Sequence, residues 1–307
     1  MQNNIIYELR PVLVASSRQE FENWNESPIF YELRCIEEQL IATMGALTSY
    51  EVNAYCVPCG KLVPMVVDMD FGGRYENGRW VPNWRERLVC PSCKLNNRQR
   101  LVATLLLQEV YRRGTLMTIY LMEQVTPFYA WAKMALSEHT VIGSEYLGPN
   151  YRSGQVVMGI LHEDAESLSF ESESIDIIVS NDVFEHVSNP DAAFRECYRV
   201  LRSGGIMLAT FPFHSNNDVS VVRAEYVHGT IIHHHEPVYH GDPLSPKGSL
   251  VFTDFGWDVL DRLRSAGFVV YIEVYASKEL GHLGGGQLVF RCNKYNRSSF
   301  NHKGTLK

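Results

Sequence analysis

The second half of the chain alternates short apolar runs with segments whose apolar residues recur at helical spacing. The apolar runs predict buried strands at 116–122, 140–144, 175–180, 206–211, 268–275 and 287–292. The helical spacing predicts helices at 128–136, 190–201 and 257–266. Strands that alternate with helices indicate an α/β fold with a doubly wound, mostly parallel sheet.

Residues typical of helix starts, helix ends and turns lie between these elements and support the same pattern. Asn189 and Pro190 predict the start of the second helix, as its N-cap and first residue. Gly204-Gly205 is expected to end that helix. Gly284-Gly285-Gly286, near the chain's end, is expected to be the turn of a final hairpin.

The first hundred residues have a different organisation. Leu33, Ile36, Leu40 and Ile41 predict a helix over 32–44. Short strand-like runs and turn signals occupy 51–95, and an apolar helix is expected at 101–110. The predicted domains are a helical segment 1–50, a cysteine module 51–100, an α/β domain 101–295 with an insertion at 214–254, and a tail 296–307.

Two Cys-x-x-Cys pairs, 30 residues apart, mark the cysteine module. Paired thiolates on tight turns can complete a closed tetrahedral zinc site, which stabilises a fold without an open position for chemistry. The alternative is a pair of disulfides or a redox site, but Pro58, Gly60 and Pro91 favour metal-binding turns. The predicted ligands of a structural Zn²⁺ are Cys56, Cys59, Cys90 and Cys93.

Composition limits the classes of function and partner. Hydrophobic residues make up 45% and charged residues 21% of the 307 residues, as in globular proteins with a full core. No apolar run is long enough to cross a bilayer, and the N-terminus lacks a signal-peptide pattern, so we expect a cytoplasmic protein without membrane contact. Oligomeric state is left open.

Charge argues against a nucleic-acid partner, because the net charge is −7 and nucleic-acid binding depends on phosphate neutralisation. A local basic cluster nevertheless follows the second cysteine pair. We interpret it first as a solvated helix face and second as an RNA contact. Its members are Lys94, Arg98, Arg100, Arg112 and Arg113.

Ligands of such a sheet bind beyond the carboxyl ends of its strands, and polar residues occur at these positions. Glu123-Gln124 follows the first strand, Glu145-Tyr146 the second, and Asn181-Asp182 the 175–180 strand. Between them lies the segment 164–170, Asp-Ala-Glu-Ser-Leu-Ser-Phe.

These motifs, followed by Phe184-Glu185-His186-Val187 and the run 200–205, resemble the class I S-adenosylmethionine-dependent methyltransferases of methyltransferase type 11. The resemblance covers roughly 115–292. It implies a seven-stranded, Rossmann-like sheet and a cofactor, S-adenosyl-L-methionine. It also implies that Glu145 binds the ribose hydroxyls, Asp164 and Ala165 the adenine, and Asn181 the methionine amino group. The implied cofactor residues are Glu123, Gln124, Glu145, Tyr146, Asp164, Ala165, Asn181 and Asp182.

One departure from the family concerns the loop after the first strand, which contains no glycine. Glu123 is expected to pair with the cofactor ammonium in place of glycine backbone, and Gln124 or Thr126 to bond its carboxylate. The alternative is a catalytically silent, methyltransferase-like binding protein.

Histidines concentrate in the 214–254 insertion, which shapes the acceptor pocket in the family. They could act as a general base, bind a metal with Glu236 or Asp242, or hold the acceptor by hydrogen bonds. A metal is the least favoured of the three, since consecutive histidines cannot all face one ion. The candidate catalytic residues are His186, His234, His235 and His240.

The function that these expectations favour is O-methylation of a hydroxyl or carboxylate on a small-molecule acceptor. An RNA methyltransferase with a zinc module is the other catalytic alternative, supported by the cysteine pairs and by Arg98 and Arg100.

Overall fold

The computed structural model describes residues 8–295, so the predicted tail 296–307 and the first seven residues lie outside the described part. The chain folds as two compact units. One contains the described residues up to Thr115 together with Ile272–Val289, and the other contains Leu116–Tyr271 together with the described residues from Phe290 onward.

Helix starts are set largely by side-chain caps. Ser17, Ser27, Asn96, Thr126 and Asn189 each accept a hydrogen bond from a backbone N–H in the first turn of a helix, which confirms the Asn189 cap. The helices are α1 Arg18–Asn25, α2 Pro28–Met44, α3 Asn97–Arg113, α4 Pro127–Ala135, α5 Pro190–Val200 and α6 Val259–Ser265.

Strands fall into one large sheet and several two-stranded ribbons. They are β1 Leu13–Ala15, β2 Ser49–Cys56, β3 Lys61–Asp68, β4 Arg74–Glu76, β5 Arg79–Val81, β6 Thr118–Leu121, β7 Thr140–Gly143, β8 Val156–Val157, β9 Ile160–Leu161, β10 Ile175–Asn181, β11 Leu201–Thr210, β12 Val221–Val222, β13 Ala224–Val227, β14 Thr230–His233, β15 Tyr239–Asp242, β16 Ser245–Leu250, β17 Thr253–Asp254, β18 Val269–Ser277 and β19 His282–Asn293.

The large sheet has seven strands in the order β1-β18-β19-β11-β10-β6-β7. Parallel pairing joins β7, β6, β10 and β11, whereas β19 runs antiparallel to β11 and β1 antiparallel to β18. The predicted fold class, an α/β fold with a mostly parallel, seven-stranded, Rossmann-like sheet, is confirmed. The pattern did not predict β1, which has only three residues.

After β7, strand pairing at this edge continues as an isolated bridge between two residues. Glu145 and His162 form an isolated parallel bridge instead of a further full strand. The backbone N–H of Glu145 donates to the carbonyl of Leu161 at 2.9 Å. This bridge still brings the segment that starts at His162 to the end of the second parallel strand.

Two glycine predictions are wrong. Gly204-Gly205 lies inside β11, because α5 ends at Val200 and the strand begins at the next residue. Gly284-Gly285-Gly286 lies inside β19 and not in a turn. Their positive φ angles point successive N–H groups at the buried carboxylate of Glu37, which accepts from Gly284 and Gly285.

The first unit has its own apolar core, built around the β2–β3 ribbon. The ribbon pairs eight residues in register, from Ser49 with Asp68 to Cys56 with Lys61. Fully or nearly buried members of this core are Tyr50, Ala54, Cys56, Val63, Met65, Val67, Trp84, Leu88, Cys90 and Leu283. Cys56 and Cys90 therefore belong to this core, and the partly buried Cys59 and Cys93 pack against it.

The second unit buries the parallel strands on both faces. Ile177, Ile178 and Val179 of β10 are fully buried, as continuous apolar runs in central parallel strands usually are. At the end of β7, Gly143 approaches the loop that follows β6 very closely. A Cβ atom on Gly143 would lie 2.6 Å from the Glu123 carbonyl oxygen and 2.4 Å from the Tyr129 ring.

We therefore expect Gly143→Ala to destabilise the protein by about 1–3 kcal/mol through overpacking. Thermal unfolding followed by calorimetry measures this change. Gly241→Ala is the matched control, because a Cβ atom there meets nothing within 4 Å and its φ angle is not positive. Equal melting temperatures for the two variants would contradict the close approach.

Candidate cofactor site and metal centre

The carboxylate of Glu145 holds the loop that follows β6. Its Oε1 atom accepts hydrogen bonds from the backbone N–H groups of Gln124 at 2.6 Å and Val125 at 2.9 Å. Oε2 accepts none from the residues that the structure describes. Burial raises the pKa of Glu145, the two amide bonds oppose this effect, and the Asp242 carboxylate adds to the increase.

A second buried carboxylate, Glu123, joins the ends of β6 and β10. Its Oε1 atom accepts from Asn181 Nδ2 at 2.6 Å, and the Thr126 hydroxyl donates to Oε2. Because a carboxylate only accepts, the Asn181 amide must turn its NH₂ group toward Glu123. This orientation leaves Asn181 Oδ1 buried and without a hydrogen-bond partner among the described residues.

Gln124 has a structural role in this arrangement. Its Nε2 donates to the Gly159 carbonyl at 3.0 Å, and its Oε1 accepts from the Leu161 N–H at 2.8 Å. The Gln124 side chain thus makes backbone hydrogen bonds to the β8–β9 ribbon of the kind that a neighbouring strand would make. Thr126 is engaged too, because its hydroxyl caps α4 by accepting from the Tyr129 N–H.

The segment predicted to face adenine lies two residues beyond the Glu145–His162 bridge. Asp164 Oδ1 accepts from the Glu166 N–H at 2.9 Å, and its own N–H donates to the Ser153 hydroxyl. Ala165 is half-buried. Tyr146 is 56% exposed, with its ring centroid 5.4 Å from that of His162. These residues line the open side of the strand ends.

Asp182 turns away from this group toward β11. Its φ angle is +55°, its N–H donates to the Thr210 carbonyl, and its Oδ1 accepts from the Thr210 hydroxyl at 3.0 Å. The structure therefore brings Glu123, Glu145 and Asn181 together at neighbouring strand ends, with Asp182 at their edge.

The four candidate catalytic histidines separate into two places. His186, in the 3₁₀ turn Phe184–His186, and His240, in β15, have ring centroids 5.0 Å apart. Exposed His234 lies 3.3 Å from Glu225, and His235 is exposed beyond β14. The structure does not bring these last two histidines to His186.

Glu185 belongs to the His186–His240 group and was missed by the sequence analysis. Its side chain is 1% exposed, and its Oε1 lies 3.6 Å from a ring nitrogen of each histidine. The signal available in the sequence was the Glu-His pair directly after a buried strand. Asp242, whose charge raises the pKa of Glu145, was considered only as a ligand for neighbouring histidines.

The four cysteines of the first unit form one cluster. Their Sγ atoms are 3.8 Å apart for Cys56 and Cys93 and 3.7 Å apart for Cys59 and Cys90. Sulfurs at ~2.3 Å from a tetrahedral ion lie about 3.8 Å from one another, so the spacing fits a Cys₄ metal site. No disulfide is present among the described cysteines, so the disulfide interpretation finds no support.

The backbone makes a left-handed turn directly after each cysteine pair, as expected for paired metal-binding cysteines. Gly60 adopts a left-handed conformation after the first pair, with φ +65°, and Lys94 does so after the second. The Ser92 N–H points at Cys90 Sγ at 3.4 Å. Burial raises the pKa of Cys59 to about 12, whereas the hydrogen bond with Cys56 lowers the pKa of Cys93 to about 5. Four thiolates held this close together repel one another unless a cation lies between them.

Arg100 is placed to balance such an anionic site. It is 1% exposed, and its guanidinium donates to the carbonyls of Leu88, Leu280 and Gly281. Burial lowers the pKa of Arg100, whereas the nearby cysteine thiolates oppose this effect. These carbonyl partners carry no formal charge and do not neutralise Arg100. Its positive charge can therefore offset the negative charge of the cysteine cluster.

The predicted solvated basic face is therefore wrong for two of its members. Arg100 is buried, and Arg98 is 8% exposed and paired with Glu86 at 3.1 Å. Both arginines lie at the start of α3, where packing against the cysteine cluster's neighbours removes them from solvent. They offer no surface charge to an RNA.

Comparison with known proteins agrees with this fold. The family model described as a methyltransferase domain matches residues 105–209. The matched segment is less than half of the chain, and residues 105–209 are similar to a methyltransferase domain. Among curated proteins, malonyl-(acyl-carrier protein) O-methyltransferase of Methylococcus capsulatus is 43% identical over 63 residues, which is 20% of this chain and 23% of that protein.

A second relative of the methyltransferase domain is a ubiquinone biosynthesis O-methyltransferase of Parvibaculum lavamentivorans. It is 37% identical over 70 residues, 21% of this chain and 26% of that protein. The similar region thus spans about a quarter of each relative's length. An S-adenosylmethionine-dependent methyltransferase structure from Mesorhizobium loti shares 17% identity over 60% of this chain and 96% of that chain, with a TM-score of 0.37.

No helix within residues 8–295 combines the length and the apolar character that a membrane crossing requires.

The raised pKa of Glu145 predicts a pH-dependent stability difference for Glu145→Gln, whose amide oxygen can still accept both loop N–H groups. A carboxyl group with a raised folded-state pKa stabilises the fold fully at low pH and loses this contribution as pH rises through that pKa. The variant is therefore expected to gain melting temperature relative to the unsubstituted protein as pH rises from ~4.3 toward neutrality.

Thermal unfolding across that pH range measures the difference. Glu138→Gln, at an exposed position after α4, is the control and should show no such trend. A constant difference for Glu145→Gln would show that burial of this carboxylate does not govern its protonation.

Proposed function

We propose that this chain is an S-adenosylmethionine-dependent methyltransferase that methylates an oxygen atom of a small-molecule acceptor. The observation that carries the proposal is the convergence of Glu123, Glu145 and Asn181 at the ends of three adjacent parallel strands. Bound S-adenosylmethionine supplies an activated methyl group on its sulfonium centre. The chain's residues then need only hold the two substrates in line and exclude water.

The residues at the strand ends fit the cofactor's polar groups. Asn181 Oδ1, buried without a partner among the described residues, and the adjacent Glu123 carboxylate suit an ammonium group with three N–H donors. Glu145 Oε2 suits a ribose hydroxyl. This assignment replaces with side chains the glycine backbone that the loop after β6 lacks.

The adenine end of the proposed cofactor would lie against Asp164 and Ala165, beyond the Glu145–His162 bridge. Gln124 and Thr126 are not assigned to the cofactor carboxylate, because their polar atoms already hold the Gly159–Leu161 backbone and the start of α4. Tyr146 offers an exposed aromatic face beside this segment.

Oxygen is the proposed acceptor atom for two reasons. Both curated relatives of the methyltransferase domain are named as O-methyltransferases. In addition, His186 and His240 have neighbouring imidazole rings beyond the end of β10, and imidazoles can promote loss of a hydroxyl proton either as bases or as ligands of a metal ion. The burial of Arg98 and Arg100 argues against RNA as the acceptor.

A catalytically silent binding protein is the second candidate, and one observation favours it. The backbone amides of Gln124 and Val125 are bound to Glu145, so the loop is closed over the carboxylate that would hold the ribose. Binding of the cofactor is the property that separates the two candidates.

Calorimetric titration with S-adenosylmethionine tests the proposed function. We expect saturable binding, weakened about tenfold or more by Glu145→Ala, since a lost hydrogen bond to a charged group costs roughly 1.5–3 kcal/mol. Glu138→Ala, at an exposed site in the same unit, should bind as the unsubstituted protein does. Absence of binding by well-folded protein would overturn the proposed function and favour the silent candidate.

We also propose that the cysteine cluster holds a structural Zn²⁺, because four thiolates with tetrahedral spacing leave no open position for catalysis. Elemental analysis should give one zinc ion per chain. Cys56→Ser should lose most of this zinc and melt at a lower temperature, since structural zinc contributes directly to folding.

Cys35→Ser, which alters a cysteine of α2 outside the cluster, is the matched control and should retain the zinc. Zinc content unchanged in Cys56→Ser would contradict the assignment of this ligand.

A further inference from the structure

The side chain of Glu185 is buried without compensation from hydrogen bonds. It is 1% exposed, and neither carboxylate oxygen has a hydrogen-bond partner among the residues that the structure describes. A carboxylate removed from water costs several kcal/mol unless a positive group pairs with it. A positive charge next to Glu185 would offset this cost.

Two imidazole nitrogens face the same carboxylate oxygen. His186 Nε2 and His240 Nδ1 each lie 3.6 Å from Glu185 Oε1, and the three ligand atoms all lie within 4.8 Å of one another. These distances exceed those of hydrogen bonds. Ligand atoms at ~2.1 Å from one ion lie roughly 3.0–3.4 Å apart, so a small contraction would place a metal ion between them.

The tautomer of His186 leaves a metal-binding nitrogen toward Glu185. Its Nδ1 lies 2.9 Å from the Leu250 carbonyl oxygen, which can only accept, so Nδ1 carries the proton. In the neutral ring, Nε2 then presents its lone pair to the carboxylate. A backbone carbonyl that fixes the opposite nitrogen is the usual outer contact of a metal-bound histidine.

Secondary structure fixes the three ligands in place. Glu185 and His186 share the 3₁₀ turn after β10, and the Phe252 N–H donates to the Glu185 carbonyl at 2.7 Å. His240 is held in the β15–β16 ribbon, opposite Ser249. The same ribbon carries Asp242, whose carboxylate adds to the effect of burial on the pKa of Glu145.

We propose that Glu185, His186 and His240 bind a divalent transition-metal ion with open coordination positions. Two imidazoles and one carboxylate suit ions such as Mn²⁺, Fe²⁺ or Zn²⁺. This site differs from the metal site considered from sequence, because its carboxylate is Glu185 and it includes His186, which lies outside the 214–254 insertion. A metal ion there would also give the buried Glu185 carboxylate, whose oxygens have no hydrogen-bond partner within residues 8–295, a cation to bind.

The site's role rests on the proposed function. A metal ion there would bind a chelating acceptor, such as a vicinal diol, a catechol or a 2-hydroxy acid, and lower the pKa of its hydroxyl. The hydroxyl proton passes to solvent, and the resulting oxygen anion forms a bond to the methyl carbon as the carbon–sulfur bond breaks. The products are the methyl ether and the neutral thioether of the cofactor.

Titration of the zinc-loaded, cofactor-free full chain with Mn²⁺, followed by the electron paramagnetic resonance signal of free Mn²⁺, tests the site. Mn²⁺ is chosen because it does not compete well for thiolates. We expect one saturable site and a higher melting temperature with Mn²⁺. Glu185→Gln and His240→Asn should each weaken binding about tenfold or more.

His228→Asn is the matched control, since His228 lies in the β13–β14 turn at a positive φ angle that asparagine tolerates. Glu185→Gln removes a buried charge and should melt at or above the temperature of the metal-free unsubstituted protein. If Glu185→Gln fails to fold, His240→Asn alone decides, because that side chain is 38% exposed.

Two results would overturn the proposed metal site. One is the absence of saturable binding of Mn²⁺, Co²⁺ or further Zn²⁺ by the unsubstituted protein up to millimolar concentration. The other is unchanged binding by both variants, which would show that the Mn²⁺ ion binds elsewhere on the chain. Calorimetry with S-adenosylmethionine on the same samples keeps the two proposals apart, because cofactor binding without metal binding overturns this site alone.

Discussion

The hydrogen bonds from the Gln124 and Val125 amides to Glu145 are the interaction on which the candidate cofactor site depends. In a loop without glycine, side chains restrict how closely the backbone can approach a ligand. Here the glycine is Gly143, on the neighbouring strand, and its missing side chain lets the loop approach β7. Glu145 then fixes the loop, so one carboxylate both shapes the site and remains available, through Oε2, to a ligand.

Most of the sheet could be predicted because its central strands are buried on both faces. Ile177, Ile178 and Val179 leave no alternative to a buried strand, and Asn189-Pro190 defines the start of α5 by local chemistry alone. Elements fixed by distant contacts were not predictable. The three residues of β1 form a strand only because they pair with β18, and Gly284-Gly285 extends β19 because a distant carboxylate, Glu37, accepts from its amides.

The candidate site shows the same division between local and tertiary information. Residues directly after parallel strands, such as Glu123, Glu145 and Asn181, could be named from sequence because the carboxyl ends of those strands meet at one edge. The histidines that accompany these residues could not be named from sequence. A ribbon far along the chain brings His240 to His186 and leaves His234 exposed. Burial of Glu185 depends on the same ribbon, and no local pattern encodes it.

Both proposed metal sites follow from the cost of burying negative charge, but their ligands differ in kind. Four thiolates form a soft, closed site that suits zinc and leaves the ion no chemistry. Glu185 with two imidazoles forms a harder, open site in which exchangeable positions remain. A thiolate site binds Mn²⁺ poorly and a carboxylate–imidazole site suits it, so ligand softness sets which ion each site prefers, whereas open coordination positions decide which ion can react.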